Sequence, residues 1–172
     1  MKQISKQEAR KKYGICTTGA SSLCQFFLRE DGCVVDDTNC VRYCPPLAAI
    51  NPQATDFFYA MGKKARKDVP YGAWYAYRAW QDSLEYKTDM FEAADVPWGR
   101  NAKQEAVDFV AALREAGITE IAVTESNSAL MESVHALVEA GAELAGTVVV
   151  KRQNKYDDYI EERQGLRFKI PD

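Results

Sequence analysis

The chain has 172 residues, 47% hydrophobic and 27% charged, which is enough apolar surface for one core and unlike a disordered tail or a collagen-like repeat. No uncharged apolar run approaches the about 18 to 20 residues that span a bilayer, and Lys2, Lys6, Arg10, Lys11 and Lys12 sit on a polar start without an apolar h-region, so a soluble, cytoplasmic protein is expected. The net charge of -3 conceals a basic half, 12 Lys+Arg against 7 Asp+Glu over 1–78, and an acidic half, 10 against 18 over 79–172; this argues against a general polyanion binder.

Ser5-Lys6-Gln7-Glu8 has the form of a capping box and Gly14 that of a stop, predicting a helix over 6–13. Ser22 and Gln25 repeat the start signal before Asp31-Gly32, predicting a second helix over 23–30. Val34-Val35 and Val41-Arg42-Tyr43, separated by Asp36-Asp37-Thr38-Asn39, read as a hairpin. After Pro45-Pro46, nine of the nineteen aromatic residues fall between Phe57 and Tyr86. Ala73, Tyr77, Trp80 and Leu84 recur at helical spacing, so 71–92 reads as an amphipathic helix burying one stripe, with Tyr75 off it. Asp95 to Gly99 marks a break. From Asn101 the pattern is regular: a helix over 102–116 capped by Asn101 with Gln104 at its third position and stopped by Gly117, a strand over 120–123, a helix over 128–140 stopped by Gly141, a strand over 144–150 and a last strand over 165–170. The fold class is α+β or α/β, with a helical, cysteine-containing N-terminal part (1–50), an aromatic-rich helical connector (51–100) and an α-β-α-β-β unit with a small mixed sheet (101–172). Strand 120–123, its crossover helix and strand 144–150 are expected to form a right-handed parallel unit.

All five cysteines lie within the 29 residues from Cys16 to Cys44. In a reducing compartment they are thiols, available as metal ligands, as a reactive group or as core packing. Zinc takes four such ligands in a tetrahedron, and Cys24, Cys33, Cys40 and Cys44, on and beside a hairpin, are the set that suits a structural site. Turnover at a thiol needs a base, and the single imidazole, His135, is far along the chain from Cys16 with no local signature linking them. Glycines occur singly, so neither common phosphate-cradling loop is present. Thr124, Ser126, Asn127 and Ser128 join a strand's carboxyl end to a helix start, a place that suits a ligand, although Glu125 opposes an anion and capping alone explains the loop. Lys63, Lys64, Arg66 and Lys67 precede the aromatic helix bearing Trp74 and Tyr75, and cations beside aromatic faces suit a nucleic-acid strand or an acidic protein surface. The first two helices also admit a helix-turn-helix reading, with 22–30 in a groove, but Arg29 is its single cation there.

The stretches 113–121, 128–131 (Ser-Ala-Leu-Met), 146–149 (Gly-Thr-Val-Val) and 165–170 (Gly-Leu-Arg-Phe-Lys-Ile) resemble small proteins of phages and other mobile elements of Firmicutes, over about 70 residues. That resemblance implies a role such as countering host defence, as anti-CRISPR proteins do, and carries over no catalytic residue. Two functions follow as expectations. The first is a non-enzymatic interaction protein that inhibits a host nucleic-acid-handling complex, its acidic stretch 104–145, with eight carboxylates against one arginine, occupying a basic channel. The second is a DNA- or RNA-binding regulator with a zinc-stabilised N-terminal lobe. Oligomer contacts through Trp98 and Tyr75 are compatible with both.

Overall fold

The computed structural model describes residues 2–4, 27–28, 32–35, 52–86, 88–153 and 160–172. Near the N-terminus β1 (Lys2–Ile4), β2 (Phe27–Leu28) and β3 (Gly32–Val35) form an antiparallel sheet in the order β1-β3-β2, with Ile4 and Phe27 both opposite Cys33. The helix expected over 23–30, and with it the helix-turn-helix reading, therefore gives way at Phe27–Leu28. These apolar residues pair with Cys33 and Gly32, and a short apolar run suits a strand as well as it suits a helix. Val34 and Val35 are in a strand as expected, but paired with β1. Their expected partner at 41–43, and the helix over 6–13, lie outside the described residues.

From Pro52 the chain is α+β. Helix α1 (Pro52–Gly62) opens on a proline, whose missing N–H costs nothing in a first turn. A single 3-10 turn (Arg66–Asp68) leads to α2 (Tyr71–Glu85), which ends seven residues before the expected limit. The physical reason is β4 (Glu92–Ala93), a two-residue strand that pairs parallel with β5 (Glu120–Val123) and draws the segment into the sheet. Between them runs α3 (Ala102–Glu115). The C-terminal unit continues with α4 (Leu130–Glu139), β6 (Glu143–Gln153) and β7 (Ile160–Lys169).

The sheet order is β4-β5-β7-β6. Strands β5 and β6 run in the same direction on either side of α4, but they are not neighbours: β7 lies between them, antiparallel to both. Both glycine stops are present. Ile118 N–H reaches Leu113 O and Gly117 N–H reaches Arg114 O, and the same pair of bonds joins Ala142 to Leu137 and Gly141 to Val138. Asn101 stands at the start of α3 without a side-chain cap bond, and Gln104 donates to Asp108 instead.

Side chains alternate across a strand, so the register fixes two faces. Phe91, Ala93, Ile121, Val123 and Phe168 point to one core shared with Phe58, Trp80, Phe109, Leu113 and Leu137 of the four helices. Glu92, Ala122, Thr124 and Arg167 point to the other face. That second face is covered by the arm of the β6–β7 hairpin. A bulge between Leu144 and Thr147 bends it, and Gly165 lies so close to β5 that an added Cβ would meet Val123 O at 2.7 Å. The arm ends against the segment before β4, where Asp89 N–H donates to Lys151 O and Lys151 N–H to the Asp89 carboxylate.

Candidate functional site

On α2 the positions 71, 74, 77, 78 and 81 recur three to four residues apart and share one stripe. Together with Lys64 and Arg66 from the α1–α2 connection, Tyr71, Trp74, Tyr77, Arg78 and Gln81 line an open groove of about 330 Å³. Trp74 and Tyr77 pack edge to face at 5.2 Å between ring centres, Tyr71 is half exposed, and the Arg66 guanidinium sits 5.6 Å from its ring. Gln81 Nε2 donates to Tyr77 Oη at 3.2 Å, which orients that ring. Arg78 is held by Asp95 at 2.9 Å, whereas Lys64 and Arg66 have no ion-pair partner among the described residues. The Trp74 indole N–H is shielded from solvent and has no hydrogen-bond partner among the described residues. The groove thus combines two cations, without an ion-pair partner among the described residues, with three aromatic rings, the combination that holds a charged backbone while stacking planar groups.

Three of the six residues expected at this surface, Lys64, Arg66 and Trp74, line the groove. Lys63 lies 4.3 Å over the Tyr59 ring, and Lys67 is exposed on the 3-10 turn outside the lining. Tyr75 departs from expectation: it is buried rather than off the buried stripe, against Tyr71 and Arg78. Burial raises its phenol pKa, with the carboxylates of Asp95 and Glu105 adding to the effect. Tyr77, expected in the core, is half-buried and forms a groove wall. The stripe of Tyr71, Trp74, Arg78 and Gln81 is a second helical spacing on α2, and the apolar periodicity marks the opposite face because Arg78 and Gln81 interrupt this one.

The loop after β5 is internally satisfied. Thr124 is buried and its hydroxyl donates to Glu92 at 2.6 Å. The Glu125 carboxylate accepts the N–H groups of Ser126 and Asn127, and Asn127 Oδ1 accepts that of Ala129 at 2.7 Å. Donors that would have met an anion are therefore occupied by the loop's own oxygens. Ser128 is exposed beside them.

Beneath this loop lies a buried ionic cluster that periodicity does not reveal. Glu92 and Arg152, both at least nine-tenths buried, approach to 3.0 Å, within ion-pair range though without an N–H aligned for a hydrogen bond. Arg163 comes to 3.9 Å of the same carboxylate, and the Arg152 guanidinium lies 3.9 Å from the centre of the Tyr86 ring. Ser83 accepts from Glu92 N–H at 3.1 Å. Nearby, burial raises the pKa of Asp82 against the pull of Arg152, and burial likewise raises Asp95 against Arg78.

Among the described residues no group of three or more His, Cys, Asp and Glu side chains is arranged to hold a metal. Cys33 lies on β3; Cys16, Cys24, Cys40 and Cys44 lie outside the described residues. His135 is exposed on α4, 3.7 Å from Glu139. No helix among the described residues is long and apolar enough to cross a membrane.

A family described as Domain of unknown function (DUF7698) matches residues 75–170, more than half of the chain. The chain belongs to this family. Its matched segment starts within α2 and takes in β4 to β7, so it includes the ionic cluster and the Tyr77–Gln81 end of the groove, while Lys64, Arg66, Tyr71 and Trp74 precede it. No curated protein and no solved structure matches the chain.

Proposed function

We propose that the protein is a non-enzymatic binding protein of a mobile element that acts on a nucleic-acid-handling complex of the host, and that it meets the nucleic-acid strand of that complex in the α2 groove. The observation that supports this reading is the meeting of Lys64 and Arg66, unpaired among the described residues, with the rings of Tyr71, Trp74 and Tyr77 along one stripe. A single strand fits better than a duplex, because rings in a groove stack on bases that are already unpaired. The exposed carboxylates Glu115, Glu132 and Glu143 on and beside α3 and α4 suit the inhibitor role, as negative charge offered to a basic protein channel while the groove takes the strand.

Fluorescence anisotropy with labelled single-stranded DNA, single-stranded RNA and duplex of about 20 nucleotides tests the reading. Binding to a single strand is expected to weaken with salt between about 50 and 200 mM as counterions are retained. Trp74→Ala is expected to weaken it about tenfold or more, since one stacked base contributes about 1 to 3 kcal/mol. Absence of binding to every strand at low salt would overturn the reading.

The proposed structural zinc at Cys24, Cys33, Cys40 and Cys44 has its own test. Elemental analysis of protein purified without chelator is expected to find about one zinc per chain, and Cys40→Ser to lower both zinc content and melting temperature. Metal-free protein whose melting ignores chelator would defeat it.

A further inference from the structure

Next to the groove, across Lys64, a second cavity of about 220 Å³ opens between α1, the 3-10 turn and α3. Its walls are apolar: Phe57, Met61, Val69 and Pro70 with four alanines, Ala60, Ala73, Ala111 and Ala112, whose small side chains leave the space between helices unfilled. Around this floor stand Asp68, Asp108 and Glu115 against one ammonium, Lys64. Asp108 accepts a hydrogen bond from Gln104, whereas the carboxylates of Asp68 and Glu115 have no cation partner among the described residues. An apolar cavity with a net acidic rim is complementary to an apolar side chain flanked by positive charge and hostile to phosphate.

We infer that this cavity is an anchor pocket for a partner protein, taking one large apolar side chain from a segment whose neighbouring residues are Lys or Arg. Such anchors concentrate binding energy when the apolar group is fully desolvated and the surrounding charges exclude water. Flanking cations on the bound segment have the carboxylates of Asp68 and Glu115 to pair with. The site shares only Lys64 with the groove, so it stands without the nucleic-acid reading.

The experiment uses the full chain and a dye-labelled synthetic peptide, Arg-Arg-Trp-Arg-Arg, beside two controls in which alanine replaces the tryptophan or glutamates replace the arginines. The tryptophan peptide is expected to bind at least about tenfold more tightly than the alanine peptide, and the glutamate peptide not at all. Ala111→Phe fills the cavity and Glu115→Lys reverses part of the rim; each is expected to weaken peptide binding about tenfold or more, and Ala111→Phe to leave oligonucleotide binding in the α2 groove unchanged. Ala60→Phe, at an exposed wall of the cavity, serves as the blocking variant if Ala111→Phe lowers the melting temperature. Equal binding of the tryptophan and alanine peptides, or undiminished binding by a folded blocking variant, would overturn the assignment.

Discussion

Glu92 shows how little one residue's type says about its place. It stands in a strand of two residues, 2% exposed, held by Arg152, Thr124 and the Ser83 hydroxyl. A buried carboxylate of this kind is tolerable while its cation is present, and removing the cation leaves an uncompensated charge. Arg152→Met is therefore expected to cost about 3 to 5 kcal/mol in chemical denaturation, and Arg152→Met combined with Glu92→Leu to recover most of it. A double variant as unstable as the single one would show that the cost comes from shape rather than charge. Gly165 is the second decisive residue. Because a Cβ there would lie 2.7 Å from Val123 O, a backbone atom that cannot swing away, Gly165→Ala is expected to lose about 1 to 3 kcal/mol and to loosen the hairpin arm. Faster amide exchange at Val150 to Arg152 would register that loosening.

At the scale of the element, α2 has two working faces. One buries Ala73, Ala76, Ala79, Trp80 and Leu84, and Trp80 stacks on Phe58 of α1 at 5.6 Å; the other carries the groove. Asp82 lies near the boundary, and burial raises its pKa in the folded state more than Arg152 lowers it. Between the ordinary aspartate range and that raised value the native state holds more proton than the unfolded chain, so this residue's contribution to stability falls as pH rises through the window. Asp82→Asn is thus expected to gain on the parent protein as pH rises from about 4, measured as the difference in denaturation midpoints, with a reversed sign excluding the burial account. Most element boundaries near α3 and α4 were legible because glycine stops are local chemistry: Gly117 and Gly141 each accept the positive φ their motif requires. Strand β4 was not legible. Two residues carry no periodicity, and they are strand only because β5 offers its edge.

At the scale of the molecule, the core formed by the described residues runs from Ala54 to Ile170. Phe58 lies against Trp80 and Phe91, so α1 closes the same core that the family segment builds from residue 75 onward. A fragment of 52–172 is accordingly expected to melt cooperatively. One of 75–172, stripped of Ala54, Phe58, Met61, Val69 and Ala73, is expected to show a broad, low transition by circular dichroism, because large buried side chains are lost outright. Equal melting of the two fragments would mean that α1 is an accessory to the core.

What could be read along the chain is what neighbouring residues decide: the helix at α3, the strands near 120 and 148, the glycine stops, and the association of Lys64, Arg66 and Trp74 with one surface. These depend on spacing within one or two turns. Pairings between distant segments depended on the tertiary structure. Strand β7 enters between β5 and β6 because it satisfies backbone groups of both, and no local pattern states that preference. Likewise Tyr75 is buried and Tyr77 lines the groove because α3 and the Asp95 segment cover one side of α2 and leave the other open, a matter of which surfaces meet rather than of which residues follow one another. The ionic cluster shows the same limit most plainly, since Glu92 and Arg152 are separated by sixty positions and acquire their partnership only when the hairpin arm folds over the sheet.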